Sequence, residues 1–256
     1  MEISLDGIIK KAEPRHLPGD YYKDDLLHCG KCHTPKQCRI DVGRVVIVGC
    51  MCECEEREAK RQAEEQRRME EADRIRTLRA EGIQDKQIAC CTFADANDTE
   101  LIRKCRKYVD RWKEMKEINA GLLFYGNVGA GKTFAAGCIA NALIDKGVPV
   151  MVTSLPRIIN SGWERSEIIG QLKRYPLLIL DDFGVERKSE FALETVYNVI
   201  DERYKAQKPL IVTTNVPLAE MKNPSNVEFG RIYSRVLEMC VPVKFDGENR
   251  RVNRAA

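Results

Sequence analysis

The sequence predicts an α/β fold, with a parallel five-stranded sheet covered by helices, preceded by a small cysteine-rich module and a charged helix. Strand-like apolar runs alternate with helical runs after residue 120, a pattern typical of parallel sheets. A glycine-rich loop joins the first strand-like run to a helical one. Six cysteines fall within residues 29–54. We therefore place the module at 1–55, the charged helix at 56–82 and the α/β domain at 83–256.

The composition excludes some classes of protein and leaves others open. The 256 residues are 43% hydrophobic, which supplies a core, and a net charge of +3 does not by itself indicate a nucleic-acid binder. The sequence shows no apolar leader and no apolar run of membrane length, so we expect a cytoplasmic protein without a membrane partner. Eleven cysteines in such a chain indicate reduced thiols or metal ligands rather than disulfides.

The cysteine cluster has the composition of a zinc ribbon. A β-rich stretch over 39–48 is suited to a hairpin between a first pair of cysteines and a second group. Zn²⁺ takes four thiolates in a tetrahedron, and so short a segment gains its stability from the metal. The second group reads Cys-x-Cys-x-Cys, so three thiols compete for two positions. The favoured ligands are Cys29, Cys32, Cys52 and Cys54. Cys50 is the main rival and Cys38 a weaker one, and free thiols or a redox role are the alternatives to zinc.

The segment after the cysteines is dense in charge. Glu and Lys or Arg recur three to four positions apart over 53–79, which stabilises an exposed helix by a few tenths of a kcal/mol per pair, and Gly82 is expected to end it. The pattern favours a solvated linker helix over a dedicated partner-binding helix. An amphipathic run from Leu101 to Trp112 predicts the first helix of the next domain.

The rest of the chain alternates strands and helices. The expected strands are 122–126, 149–153, 177–181, 210–214 and 240–245, and the expected helices are 132–146, 189–206 and 230–238.

Residues 126–133 read GxxxxGK[ST], the pattern of a phosphate-binding loop, between a strand-like run and a helical one. Glycines let the backbone amides turn toward phosphate oxygens, Lys132 reaches the β and γ phosphates, and the Thr133 hydroxyl is placed to ligate Mg²⁺. The helix N-terminus that follows adds to anion binding. The predicted nucleotide contacts are Gly126, Asn127, Val128, Gly129, Ala130, Gly131, Lys132, Thr133 and Phe134. The sequence therefore predicts a site for ATP and Mg²⁺.

Paired carboxylates end the third expected strand. Asp181 and Asp182 follow a four-residue apolar run, as in a Walker B element. We expect Asp181 to hold Mg²⁺ through its water shell and Asp182 to orient and deprotonate the attacking water. The alternative, acids that only cap the following turn, is disfavoured by the phosphate loop upstream.

The fourth strand ends at Asn215, and with it the motif set resembles that of the AAA+ ATPases. The resemblance implies that Asn215 senses the γ phosphate, although an amide that merely satisfies a strand end is the alternative. It also implies that Arg235 acts as an arginine finger on the ATP of a neighbouring subunit, with Arg231 as a supporting candidate. Arg251 matches the position that contacts nucleotide within its own subunit.

Residues 177–217 read LLILDDFGVERKSEFALETVYNVIDERYKAQKPLIVTTNVP. This segment resembles the DnaC/DnaI-type replicative helicase loaders and the related IstB-type transposition helper ATPases, and the likeness spans about 120 to 256. The group implies an AAA+ domain without a C-terminal helical lid, as the eleven residues after Phe245 also lead us to expect. The cysteine module followed by a charged helix is similar to loader arrangements, which favours helicase loading over transposition.

The resemblance implies that ATP holds subunits in a ring or spiral that grips single-stranded DNA and opens or escorts a hexameric helicase bound by the N-terminal module. Hydrolysis is then expected to be slow in the monomer, because one cation comes from a neighbour. Arg157 and Arg165 are expected to contact DNA phosphates or to be ordinary surface arginines, and Trp163 fits a core as well as it fits DNA. Rival classes are a P-loop small-molecule kinase and an adaptor that binds nucleotide without hydrolysing it.

Overall fold

The computed structural model describes residues 15–184, 190–224 and 226–246, apart from the side chain of Trp163. Two compact units divide between Ala72 and Asp73. This division lies within one helix, α1 (Glu53–Gly82), rather than at the ends of the predicted charged segment.

The first unit carries two antiparallel hairpins. Strand β1 (Tyr21–Lys23) pairs with β2 (Leu26–His28), and β3 (Gln37–Asp41) pairs with β4 (Val45–Gly49). The predicted hairpin over 39–48 is therefore present, although it begins two residues earlier. Its turn is closed at Gly43, which has a φ of +84° and donates its amide to Asp41.

A buried lysine ties the first unit together. The Lys36 side chain is 1% exposed, and its ammonium lies 3.0 Å from Asp20 and 3.1 Å from Glu55. It also donates to the carbonyl of Arg15 at 2.6 Å. A buried charge of this kind is tolerated only when it is paired and hydrogen-bonded, so Lys36 fixes the segment around Asp20 to the start of α1.

Helix α1 is exposed on all sides over 56–74. Ion pairs spaced four residues apart, such as Lys60 with Glu56 and Arg68 with Glu64, line its surface. The helix ends at Gly82, as predicted. A Cβ there would lie 2.0 Å from the carbonyl oxygen of Val150, so only glycine allows this close approach.

The second unit contains the predicted parallel five-stranded sheet. Its strand order is β6-β7-β8-β5-β9, and every neighbouring pair is parallel. The strands are β5 (Gly121–Gly126), β6 (Val150–Ser154), β7 (Leu177–Phe183), β8 (Leu210–Thr214) and β9 (Cys240–Phe245). Four strands agree with the expected ranges to within one residue. Strand β7 runs two residues further than expected, through the paired carboxylates.

Helices connect these strands and cover both faces of the sheet. They are α2 (Lys86–Ala89), α3 (Glu100–Asp110), α4 (Trp112–Glu117), α5 (Lys132–Asp145), α6 (Leu155–Ile159), α7 (Arg165–Leu172), α8 (Glu190–Lys205), α9 (Leu218–Lys222) and α10 (Val227–Met239). Helix α10 begins three residues before the expected start, because the Asn226 side chain accepts the amide of Glu228 and caps the first turn. No helix within the described ranges is long and apolar enough to cross a bilayer.

Two apolar cores sandwich the sheet. Phe124 packs on one face with α3 and α5, and its neighbour Leu123 packs on the other with α8 and α10. Strand side chains alternate between faces, so one apolar run serves both cores. The large apolar cores of the described residues therefore both lie in the second unit.

One buried arginine joins the loops that precede β7 and β8. Arg203 is 1% exposed and donates to the carbonyls of Leu172, Tyr175, Pro176 and Pro209. Burial lowers its pKa to about 10, which still leaves it charged at neutral pH. These loops are at the amino ends of the strands, away from the carboxyl edge that carries the predicted site.

Candidate functional site

The phosphate loop crosses from β5 to α5 through left-handed backbone. Gly126, Gly129 and Gly131 have φ values of +135°, +79° and +95°, which side chains with a Cβ rarely adopt. At Gly126 a Cβ would also lie 2.2 Å from the carbonyl of Phe245 on β9. Helix α5 then begins at Lys132, so its free amides and positive dipole end face the loop. The loop has the backbone that phosphate binding requires.

Lys132 connects this loop to the end of β8. It is 6% exposed, and its ammonium donates to the carbonyls of Gly126 at 2.9 Å and Asn127 at 2.7 Å. It also donates to Oδ1 of Asn215 at 2.8 Å, although 83 residues separate the two in sequence. The fold thus brings the predicted phosphate lysine and the predicted sensor to one point.

Asp181 lies beside the first turn of α5. The Thr133 hydroxyl donates to its Oδ1 at 2.9 Å, and the Thr213 hydroxyl donates to the same oxygen at 2.6 Å. Burial raises the pKa of Asp181, and both hydroxyls oppose that rise. A hydroxyl and a carboxylate in contact are the hard oxygen donors that Mg²⁺ prefers, so this pair fits the ion.

Asp182 projects differently from its neighbour. It is exposed and has a φ of +54°, and its amide donates to the Thr213 hydroxyl at 3.0 Å. The pairing of β7 with β8 shifts register between Leu180 and Phe183, which marks a bulge. Bulges redirect side chains near functional sites, and here one leaves the Asp182 carboxylate at the open edge of the sheet.

Four thiols of the first unit form a separate cluster. The Sγ atoms of Cys29, Cys32, Cys52 and Cys54 all lie within 4.8 Å of one another. Cys54 Sγ is 3.5 Å from that of Cys29 and 3.3 Å from that of Cys52. Four sulfurs around Zn²⁺ at about 2.3 Å would be separated by roughly 3.8 Å, so the cluster fits a tetrahedral zinc.

The two rivals for this cluster lie elsewhere. Cys50 directs its Sγ toward the carbonyl of Pro35 at 3.7 Å, and Cys38 is on β3. Within the cluster, hydrogen bonds from the hydroxyl and amide of Thr34 lower the pKa of Cys32 to about 5. A thiolate is the form that binds metal, so Thr34 prepares a ligand.

Residues 52–255 match the family of IstB-like ATP-binding proteins. The chain belongs to that family. Among its relatives, the replicative helicase loader DnaI of Bacillus subtilis is 29% identical over 175 residues, which cover 61% of this chain and 56% of DnaI. The helicase loader DnaC of Escherichia coli is 27% identical over 128 residues, covering 47% of this chain and 51% of DnaC. An ATP-binding protein in an insertion sequence of Mycobacterium tuberculosis is 32% identical over 111 residues, covering 41% and 43%. The chain spans about half the length of these curated relatives.

A crystal structure of DnaI superposes on 68% of this chain and 98% of its own with a TM-score of 0.57 and 22% identity. At this identity the likeness establishes the fold. This IstB-like chain therefore has the α/β architecture of the DnaI domain, with the predicted nucleotide-binding elements at the carboxyl edge of its sheet.

Two of the predicted arginines of this IstB-like chain, Arg231 and Arg235, lie on α10. Arg235 on α10 forms an ion pair with Asp201, and its guanidinium stacks 4.8 Å from the centre of the Tyr197 ring. Arg231 is exposed one turn earlier. Arg251 lies outside the described residues. A role for Arg235 on a neighbouring subunit is compatible with its partial exposure of 26%, but the ion pair is a contact that the sequence did not predict.

The predicted DNA-contacting residues follow β6. Arg157 is exposed on α6, and Arg165 begins α7 with its guanidinium 3.9 Å from the centre of the Phe191 ring. Arg165 also donates to the carbonyl of Gly162. The side chain of Trp163 lies outside the described part of the chain. DNA binding by Arg157 and Arg165 therefore stays a prediction.

Thr213 is the site residue that motif reasoning missed. It is fully buried on β8 and contacts both acidic residues of β7. A signal was present in the sequence, because two threonines interrupt an otherwise apolar central strand just before Asn215. Buried hydroxyls need hydrogen-bond partners, and the neighbouring strand end supplied the candidates.

Proposed function

We propose that this chain is an ATPase that loads a hexameric replicative helicase onto single-stranded DNA. The convergence of Lys132, Asn215 and the Thr133–Asp181 pair at one sheet edge carries the proposal, because it combines a phosphate anchor with ligands for Mg²⁺. The curated names of DnaI and DnaC support helicase loading as the use of that site.

The proposed reaction is ATP plus water to ADP and phosphate. Lys132 stabilises charge on the β and γ phosphates, Asn215 contacts the γ phosphate, and Asp182 takes a proton from the attacking water. Bound Mg²⁺ would neutralise phosphate charge beside Thr133 and Asp181. Arg235 of a neighbouring copy supplies the remaining cation, with Arg231 in support, so turnover depends on assembly into a ring or spiral. Arg251 is proposed to contact nucleotide within its own subunit.

The first unit is proposed to bind Zn²⁺ through Cys29, Cys32, Cys52 and Cys54 and to contact the helicase. The four-thiol cluster supports the metal. We assign helicase binding to residues 1–55, a linker to 56–82, and ATP and DNA binding to 83–256. Arg157 and Arg165 are the proposed DNA contacts.

The test is ATP turnover with and without single-stranded DNA. The unaltered chain should turn over ATP faster when DNA is present, and Asp182→Asn should abolish turnover while retaining nucleotide binding. Asp110→Asn, which changes an exposed acid on α3, is the matched control and should keep full activity. Failure to bind adenine nucleotides in calorimetry would refute the proposal.

Arg235 needs a second variant, because its ion pair with Asp201 also supports packing. Arg235→Ala should lose the activity that depends on assembly, whereas Asp201→Asn breaks the ion pair and keeps the guanidinium. Loss of activity in both variants with a lowered unfolding midpoint would mean that the pair is only structural.

A second candidate function follows from the Mycobacterium tuberculosis relative, whose name assigns it to an insertion sequence. A transposition helper should bind duplex DNA and depend on a transposase. A loader should instead retain a hexameric helicase in a pull-down with the full chain, and Cys29→Ser should abolish that retention.

A further inference from the structure

One buried hydroxyl stands between the two acidic residues of the proposed ATPase site. The Thr213 Oγ1 donates to Oδ1 of Asp181 at 2.6 Å and accepts the amide of Asp182 at 3.0 Å. Thr213 is 0% exposed. Its hydroxyl uses both its donor and its acceptor capacity on the residues that motif reasoning assigns to Mg²⁺ and to the attacking water.

The backbone at this point explains why such a hydroxyl is needed. The register shift between Leu180 and Phe183 interrupts the regular pairing of β7 with β8, and Asp182 adopts a φ of +54°. A non-glycine residue in the left-handed region needs support from its surroundings. The hydrogen bond from the Asp182 amide to Thr213 supplies it.

The same hydroxyl orients the neighbouring carboxylate. Thr213 and Thr133 donate to the same Oδ1 of Asp181 from two different elements, β8 and α5. Two donors on one oxygen fix the plane of the carboxylate, as partners behind a metal ligand commonly do. Thr213 therefore couples the orientation of Asp181 to the conformation of Asp182.

We propose that Thr213 is a positioning residue for ATP hydrolysis, which holds the Asp181 carboxylate in the orientation that would bind Mg²⁺ through its water shell and fixes the bulge that carries Asp182. The inference rests on the proposed ATPase function. Thr213 does not contact the substrate and acts through the two aspartates.

The test compares Thr213→Val with Thr213→Ser in the full chain. Valine keeps the shape of threonine and removes the hydroxyl, whereas serine keeps the hydroxyl. The first readout is the gain in affinity for a non-hydrolysable ATP analogue when Mg²⁺ is added, measured by calorimetry. Thr213→Val should reduce that gain by about ten- to a hundred-fold, the usual range for loss of a partner behind a metal ligand, with little change in affinity without Mg²⁺.

The second readout is turnover at saturating ATP and Mg²⁺. Thr213→Val should lower it, because Asp182 loses the support of its bulge, and Thr213→Ser should restore both turnover and the Mg²⁺-dependent gain. A merely structural threonine would instead lower nucleotide affinity equally with and without Mg²⁺.

Thr214→Val is the matched control. Thr214 is also 0% exposed and follows Thr213 on β8, but its hydroxyl donates to the carbonyl of Phe183 and accepts the amide of Val216. This variant removes an equally buried hydroxyl without touching either acid. It should lower the unfolding midpoint about as much as Thr213→Val and retain the Mg²⁺-dependent gain.

Three outcomes would overturn the inference: an unchanged Mg²⁺-dependent gain in Thr213→Val, equal damage in the valine and serine variants, or the same loss in Thr214→Val. If the unaltered chain shows Mg²⁺-dependent binding and turnover while Thr213→Val matches it, only the role of Thr213 fails. If the unaltered chain neither binds nor hydrolyses ATP, the proposed function fails and this inference with it.

Discussion

The two units of this chain are stabilised by different means. Among the residues described up to Ala72, the buried apolar side chains are those of Leu27, Cys29 and Cys52, and two of these belong to the thiol cluster. The second unit buries an apolar core on each face of its sheet. A small unit with so little apolar burial depends on metal ligands and ion pairs, whereas a large one depends on packing. Changes that affect metal binding and changes that affect core packing should therefore destabilise different units.

Removal of the proposed zinc should have the largest effect and should affect only the first unit. Structural zinc contributes about 10–16 kcal/mol in small metal modules, so a chelator should unfold the first unit while the second stays folded. Iodoacetamide labelling read by mass spectrometry should then modify the four clustered thiols and spare Cys105 and Cys138, which are buried in the second unit.

Two substitutions check the ligand set. Cys52→Ser should lose zinc, and Cys50→Ser should retain it, because only the first of these thiols lies in the cluster. Cys90→Ser, at an exposed cysteine of the second unit, is the control and should change neither zinc content nor nucleotide binding. Labelling of Cys105 upon chelation would contradict the independence of the two units.

Loss of Arg203 should destabilise the second unit alone. Arg203→Met removes charged hydrogen bonds to four main-chain carbonyls, so the free energy of unfolding should fall by about 3 kcal/mol or more. Arg61→Met, at an exposed arginine paired with Glu58, should leave the free energy of unfolding nearly unchanged. Urea unfolding followed by circular dichroism measures both, and zinc content should stay constant in each.

Alkaline pH should also weaken the second unit. Burial raises the pKa of Cys105 and Cys138 to about 12, above the ordinary thiol value near 9. A group whose pKa is higher in the folded protein adds stability below its unfolded pKa and loses it as the pH rises through the folded value. The unfolding free energy should fall between pH 9 and 12, and the double change to alanine should flatten that fall. An unaltered slope would show that these thiols do not contribute.

The smallest effect belongs to the exposed part of α1. Arg68→Ala breaks a pair with Glu64 whose side chains are 77% and 66% exposed, so helix stability should change by about 0.3–0.5 kcal/mol. The difference should disappear in 1 M salt, which screens exposed charges. A larger effect that persists in salt, or a change in zinc content, would indicate that this surface has a role in one of the units.

Local patterns predicted most of the fold and part of the site. The loop from Gly126 to Thr133 and the apolar strands follow from short-range sequence rules, and the structure agrees with them closely. The meeting of Lys132 with Asn215 followed from the rule that parallel strands end at one edge. Thr213 was missed because the two threonines at the end of β8 mark a buried hydroxyl without naming its partners, which depend on the register between β7 and β8.

Two further features depend on tertiary contacts that the sequence does not specify. Spacing alone left three thiols for two positions, and the path of the chain after β4 excludes Cys50 from the cluster. The ion pair of Arg235 with Asp201 joins α10 to α8, and neither helix pattern reveals which acid faces the arginine. In both cases tertiary packing determines which of several chemically equivalent side chains makes the contact.

The engagement of Lys132 has a consequence for how the loop responds to phosphate. A phosphate that approached the ammonium would compete with oxygen acceptors that include those of Gly126, Asn127 and Asn215. The affinity for phosphate would then be the balance of an exchange and would fall short of the full strength of an isolated ion pair. The same exchange would free the Asn215 side chain, so that phosphate binding and release of that side chain would form a single equilibrium.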